Sequence, residues 1–315
     1  MRVLVTGALG FIGHHLCLHL ADKGFEVYGV DNMFRGDEGR VRLLGERGVY
    51  TTAIDVRNLE ALASYMLRVK PDAVVHLAAL ISTDESFEKP LLYEDVNIRG
   101  TISVVLASNR AGVQRLVYVS SAAVYGEPRY LPVDEEHPTN PISPYGATKL
   151  AGEHLSRTLF EGERHVVILR PFNVYGPGQS REYAGVVAKF LERLARGEPP
   201  VIYGDGRQTR DLVYVADVVE ALERALEVEV DGNAVVNVGT GRPVTINELA
   251  YRMIRIAGAD VKPIYAPPRR GDIRHSYASI SRAVSLLRWR PRVSLEEGLE
   301  ETIKAFFSEQ GGAGS

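Results

Sequence analysis

Short runs of consecutive apolar residues alternate along this chain with longer stretches in which apolar positions recur every three or four places. The runs at Arg2–Thr6, Glu26–Asp31, Val49–Asp55, Ala73–Ala79, Arg115–Ser121 and His165–Arg170 predict strands. They are near-continuous rather than alternating, as expected of parallel strands covered on both faces. Between them, helical spacing spans Phe11–Lys23, Asn58–Arg68, Leu91–Ala111 and Pro144–Phe160. This β-α-β order predicts an α/β fold with a doubly wound, Rossmann-type parallel sheet.

After Pro171 the rhythm changes. Loops rich in Gly and Pro appear at Tyr175–Gly178, Gly204–Gly206 and Pro267–Gly271. Helical patterns follow at Gly185–Arg196, Ala216–Leu226, Ile246–Ala257 and Leu295–Phe307, with strand-like pieces at Val235–Val238 and Lys262–Tyr265. The expected division is a Rossmann-type domain over 1–171 and a smaller C-terminal α/β lobe over 172–308, with chain crossings back. Residues 309–315 read as a flexible tail.

Composition narrows the class. A content of 45% hydrophobic and 24% charged residues is that of an ordinary globular protein, not a disordered one. A net charge of −3 with no basic run argues against a nucleic-acid partner. No apolar stretch is long enough to span a membrane, and no leader pattern opens the chain. Cys17 is the single cysteine, which excludes an intrachain disulfide, so a cytoplasmic protein is expected. Cys17 lies in an apolar helical pattern and reads as a core thiol. No metal is expected.

Candidate chemistry begins where the first strand ends. Gly7, Gly10 and Gly13 are spaced G-x-x-G-x-x-G between a strand and a helix, with Phe11 and Ile12 in the same cofactor-binding stretch. Gly7 permits a sharp turn, Gly10 lets backbone N–H groups approach phosphate, and Gly13 lets the helix pack closely. Asp31 and Asn32 close the second strand, where an acid accepts adenosine ribose hydroxyls and repels a 2′-phosphate. NAD is therefore expected over NADP, with Arg35 nearby opposing that preference. Asp55 and Val56 end the third strand within reach of the adenine amine. Leu77, Ala78 and Ala79 end the fourth with small side chains that permit close cofactor approach, while the preceding His76 reads as structural.

Tyr145 and Lys149 are four places apart on a predicted helix and share a face. A tyrosine of pKa about 10 is a weak base at neutral pH. An ammonium and a cationic nicotinamide beside it both favour phenolate and should lower that value. Tyr145 is then able to take a proton from a substrate hydroxyl as hydride leaves the same carbon. Ser121 ends the fifth strand at the rim where ligands bind such sheets, and its hydroxyl can bond the substrate oxygen.

These motifs resemble the extended short-chain dehydrogenase/reductase family, and within its epimerase/dehydratase group the nucleotide-sugar 4-epimerases acting on UDP-glucose and UDP-galactose. The marks are Thr6–Gly13, Val30–Asn32, His76–Ala79, Ser120–Gly126, Tyr145–Lys149, Arg170–Pro177, Gly204–Asp211 and Arg269–Asp272. The resemblance implies an NAD-dependent isomerase passing through a 4-keto sugar, with a UDP-sugar as substrate. It makes Tyr145 the base, Lys149 its electrostatic partner and Ser121 the hydroxyl-binding serine. It implies that Asn97 helps hold the cofactor, that Phe172 packs near the nicotinamide and that Asn173 contacts the sugar or its phosphates. Arg210 and Arg269 would neutralise the pyrophosphate, Asp272 would take the nucleotide ribose and Tyr203 would lie near the base. It also implies a homodimer through helices around Leu91–Ala111 and Pro144–Phe160.

Two departures bear on the substrate. Relatives that dehydrate or decarboxylate their sugars carry an acid just after the strand-end serine or threonine. Here those places are Ala122 and Ala123, which favours simple epimerisation. Ser276 stands where a bulky tyrosine is common in enzymes restricted to plain hexoses, leaving room beside C2 for an N-acetyl group. A uronate epimerase, a nucleotide-sugar reductase with net redox change and a non-catalytic NAD-binding regulator stay open as alternatives.

Overall fold

The computed structural model describes residues 1–34, 38–161, 165–179, 185–230, 232–268 and 273–312. The strands are β1 Arg2–Thr6, β2 Glu26–Asp31, β3 Tyr50–Ala53, β4 Ala73–His76, β5 Arg115–Val119, β6 His165–Pro171, β7 Asn173–Tyr175, β8 Val201–Tyr203, β9 Thr209–Tyr214, β10 Ala234–Val238, β11 Pro243–Thr245 and β12 Ile264–Ala266. The first helices are α1 Phe11–Asp22, α2 Glu38–Glu46, α3 Leu59–Val69, α4 Thr83–Glu88 and α5 Pro90–Tyr93. A π-helical turn over Glu94–Arg99 leads into α6 Gly100–Ala111. The remaining helices are α7 Pro144–Leu159, α8 Val186–Ala195, α9 Val215–Glu227, α10 Ile246–Ile256, α11 Ser281–Leu286 and α12 Leu295–Gly312.

Seven strands form one sheet in the order β10-β6-β5-β4-β1-β2-β3, and every pairing is parallel. Successive residues of β1 serve opposite cores. Val3 and Val5 pack with Leu16 and Leu20 of α1 and Val218 and Leu222 of α9. Leu4 packs on the other face with Leu62 and Met66 of α3 and Val104 and Val105 of α6. Burial on both faces is what makes these strands read as unbroken apolar runs. Strand order reverses between β1 and β4, and ligands of such sheets bind at the carboxyl ends beside that reversal.

The single helix predicted over Leu91–Ala111 is instead α5, a π turn and α6. Apolar spacing cannot distinguish a single-turn π bulge from continuous α-helix, and such bulges are common at functional sites. At the other end, α12 continues to Gly312, past residue 309 where the sequence reading began a tail, and 313–315 lie outside the described residues.

Two small sheets flank the large one. One has the order β11-β9-β7, and β12 pairs with β8 in the other. The chain leaves the large sheet at Pro171 and pairs β7 with β9, Asn173 opposite Leu212. It then returns through α9 to add β10 beside β6. Among the described residues no helix is long and apolar enough to cross a membrane.

Candidate active site

The turn from β1 into α1 is built by its glycines. Gly7 has φ +70°, a conformation that side chains disfavour, and a Cβ there would meet the Ala78 backbone nitrogen at 2.8 Å. At Gly13 a Cβ would lie 2.0 Å from the Gly7 carbonyl oxygen. The bare cradle therefore brings α1, β1 and the loop after β4 into direct backbone contact. Gly10 caps α1 with no side-chain hydrogen bond, and the first helical turn holds no acid. That leaves backbone donors at a positive helix end, the arrangement that binds phosphate.

Asp31 anchors this cradle, accepting hydrogen bonds from Leu9 N at 3.1 Å and Met33 N at 2.9 Å. Burial raises its carboxyl above the ordinary range. His76 is held on both sides, with Nδ1 2.7 Å from Thr6 Oγ1 and Nε2 3.0 Å from Thr101 Oγ1. Leu77 and Ala78 follow as the loop that covers Gly7, their backbone nitrogens bonded to Thr6. Val56 is buried against Gly100, and Ala79 continues the same loop.

Two cofactor residues sit differently from the sequence expectation. Asp55 accepts Arg57 N, Nε and Nη2 and Asn32 Nδ2 at 2.7 to 3.0 Å. Four donors fill the roughly four acceptor positions of a carboxylate, so an adenine amine would have to displace one. The Arg57 guanidinium holds the Asp55 carboxyl well below the usual range. Asn97, 1% exposed in the π turn, exchanges hydrogen bonds with the Leu80 backbone and donates to Thr148 Oγ1 at 3.0 Å. It ties the loop after β4 to α7 and spends most of its hydrogen-bonding capacity doing so.

Tyr145 lies in the first turn of α7, which starts with Pro144 and is capped by Ser143 accepting from Gly146 N at 3.1 Å. Its ring packs in a cluster with Leu80, Tyr93 and Ala123, and Ala123 stands two places beyond Ser121. Ser121 in turn caps a short 3₁₀ turn by accepting from Ala123 N at 3.1 Å. Burial raises the Tyr145 phenol, with the neighbouring Ser121 side chain opposing. Desolvation dominates here because the phenol is buried; the lowering expected from the sequence depends also on the charge of a bound nicotinamide. Lys149 is 4% exposed, and its Nζ rests 4.7 Å from the centre of the Tyr118 ring. Burial lowers the Lys149 ammonium to about 7, with Glu153 opposing.

The expected substrate residues gather beyond the end of β6. Phe172 packs with Val124, Tyr125 and Ala278, joining the Ser121 turn to the segment that carries Ser276. Asn173 Nδ2 donates to the Asp211 carbonyl at 3.1 Å, and Arg210 precedes Asp211 on β9. Ser276 N donates to the Thr209 carbonyl at 3.3 Å, and the Tyr203 carbonyl accepts from Gln208 Nε2 at 2.8 Å. Arg269 and Asp272 lie outside the described residues.

The sequence reading missed three supports of this region. Asp211 is fully buried and accepts from Thr240 N and Oγ1, Gly241 N and Ala278 N. Arg40 bridges the Leu9 and Gly178 carbonyls at 2.7 and 2.6 Å, linking the cradle to the loop after β7. Glu153 and Arg170 form a buried ion pair at 2.7 Å. Asp211 and Arg170 stand at the ends of two of the quoted motifs and Glu153 lies one helical turn after Lys149, whereas Arg40 belongs to no motif.

A sequence model of the NAD dependent epimerase/dehydratase family matches residues 3–239. The chain is 39% identical over 313 residues to the UDP-glucose 4-epimerase of Mycolicibacterium smegmatis, covering 97% of this chain and 98% of the relative. It is similar to the solved Thermus thermophilus UDP-glucose 4-epimerase complex with NAD, at 38% identity and a TM-score of 0.89, covering 98% and 99% of the two chains. It is also similar to UDP-N-acetylglucosamine 4-epimerase from Methanobrevibacter ruminantium in complex with UDP-N-acetylmuramic acid, at 35% identity and a TM-score of 0.91, covering 98% of each.

Proposed function

The chain belongs to the NAD-dependent epimerase/dehydratase family, and from that premise we propose that it interconverts UDP-hexoses at C4. The observation that carries this reading is the packing of the first turn of α7, which holds Tyr145, against the turn that Ser121 caps just beyond β5, where a Cβ at Gly146 would lie 2.7 Å from the Ala123 carbonyl oxygen, on the same sheet edge as the glycine cradle. The cradle, bare at Gly10 and closed behind by Gly7 and Gly13, has the shape and donors that a dinucleotide pyrophosphate needs. Gly10, Phe11, Ile12 and Gly13 would hold the pyrophosphate, Asp31 and Asn32 the ribose, and Val56 with Leu77 to Ala79 the remainder. NAD, when bound, supplies a hydride acceptor and a positive ring that favours phenolate.

Tyr145 would take the proton of the substrate 4-hydroxyl and return it after the ketone has presented its other face. Ser121 would bond the same oxygen in both states. Lys149 would favour the phenolate with its charge. Arg210 and Arg269 would neutralise the diphosphate, Asn173 would contact the sugar or its phosphates, and Asp272 and Tyr203 would hold the ribose and base, so that one end stays fixed while the sugar turns. The lobe that carries them also keeps water from the ketone. We further propose a homodimer through α6 and α7, which light scattering would detect.

The reading is tested by incubating the purified protein with UDP-galactose, UDP-N-acetylgalactosamine and UDP-galacturonate without added NAD, and resolving products by NMR. Interconversion at C4 with no net NADH is expected. Sustained NADH formation or consumption would replace the epimerase with an oxidoreductase.

Two substitutions probe selectivity. Asp31→Asn keeps an acceptor for Leu9 N but removes the charge that repels a 2′-phosphate. After loading with equal NAD and NADP, the fraction of NADP recovered should rise roughly tenfold, the scale of losing one charged hydrogen bond. Ser276→Tyr should leave UDP-galactose turnover within a few-fold and cut that of UDP-N-acetylgalactosamine by roughly tenfold or more, by filling the space beside C2. Equal effects on both sugars would remove Ser276 from sugar selection.

A further inference from the structure

Glu153 lies one turn beyond Lys149 on α7, and its side chain is 0% exposed. Arg170 Nε and Nη2 donate to its two oxygens at 2.8 and 2.7 Å. Ser120 Oγ donates to Oε1 at 2.5 Å. The Arg170 guanidinium also stacks 4.8 Å from the Tyr125 ring centre and donates to the Tyr125 hydroxyl at 2.9 Å. That hydroxyl donates to Asn237 Oδ1 on β10 at 2.6 Å. One buried carboxylate thus joins the ends of β5 and β6 to the helix of Tyr145 and Lys149. The residues it holds, Ser120 and Arg170, stand immediately before Ser121 and two places before Phe172.

We propose that Glu153 is a positioning residue for proton transfer: its carboxylate supplies the negative charge beside the buried Lys149 ammonium and locks the Ser121 strand end against α7. This rests on the reading of Tyr145 and Lys149 as the proton-transfer pair. The groups facing Lys149 come from several elements. His76 of β4 is kept neutral by burial, which lowers it to about 3. Tyr118 of β5 puts its ring face beneath the Nζ, and its hydroxyl donates to the Lys149 carbonyl at 3.3 Å. Tyr145 shares the helix. Arg170 of β6 brings a positive charge that Glu153 neutralises. Glu153 is the carboxylate that opposes the effect of burial on Lys149.

A carboxylate nearby favours the charged lysine, so removing it lets Lys149 lose its proton at lower pH. Activity that needs the ammonium then fails earlier as pH rises. A purely architectural role would lower the amount of folded protein without moving that limb.

Glu153→Gln keeps the shape of the side chain and an oxygen for Ser120. In the NAD-loaded enzyme it should move the alkaline limb of the kcat profile down by about one pH unit. Glu153→Asp, which keeps the charge, should leave the limb in place. The same shift is read without sugar by ¹³Cε-lysine NMR titration, with Lys149→Arg assigning the signal. If Glu153→Gln does not fold, Glu153→Gln with Arg170→Gln removes the pair together, and the Lys149 midpoint should still fall, by less, because Glu153 rather than Arg170 is the charge that acts on Lys149. A midpoint equal to wild type in the folded variant overturns the proposal. Wild-type enzyme that turns over no UDP-sugar overturns the reaction instead, while the NMR midpoint still tests Glu153.

Discussion

Tyr145→Phe is expected to lower kcat on UDP-galactose by roughly 10²- to 10⁴-fold, the usual contribution of a positioned acid–base group. The substitution removes one oxygen and leaves the ring, which packs with Leu80 and Tyr93, in place. Ser121 keeps a partner, because its hydroxyl still accepts from Ala123 N. The phenol takes no part in the glycine cradle, so NAD should stay bound at wild-type stoichiometry, measured as cofactor released on denaturation. Turnover and bound cofactor should therefore separate. A variant within tenfold of wild type would mean that another group moves the proton.

The second large effect is expected at Gly13→Ala. The added methyl would stand 2.0 Å from the Gly7 carbonyl oxygen, 2.9 Å from its carbon and 3.0 Å from Ala8 Cα. All three are backbone atoms of the turn itself, so no side chain can swing aside. Either α1 tilts away from the sheet or the cradle opens, and both spoil the donor geometry at Gly10. Overpacking of this kind costs about 1–3 kcal/mol or more, so the melting temperature should fall by several degrees and purified protein should carry little NAD. Gly45→Ala is the control. Its Cβ would meet nothing within 4 Å on helix α2, and the same change there should stabilise by about 0.5–1 kcal/mol. Gly13→Ala that retains NAD and its melting temperature would refute the close-packed cradle.

What could be read from the sequence was whatever depends on local pattern. The strands of the large sheet announce themselves because both faces are buried, and the cradle, Ser121, Tyr145 and Lys149 because their spacing is short. Three-residue strands such as β7 and β11 have no pattern of their own and exist only through pairing with β9. Helix α2 has a single buried residue, Leu44, and gives little periodicity to detect. The π turn hides inside an apolar repeat that an α-helix would share. The effect of burial on Tyr145 is hidden for a related reason: a sequence shows which charges are near in number, not how much water is removed. Asp55 and Asn97 show the same limit, since their partners Arg57, Leu80 and Thr148 are known only once the loops are folded.

The position of β10 has a consequence for how the chain is made. Residues 234–238 close the edge of the large sheet beside β6, about seventy positions downstream of it. Until they leave the ribosome, β6 is a bare apolar edge, and such edges invite pairing with other chains. The nascent protein must carry that edge through synthesis of most of the intervening segment. Its vulnerability to self-association is thus set by the time between translating residues 171 and 238, and slow codons within that interval would lengthen the exposure.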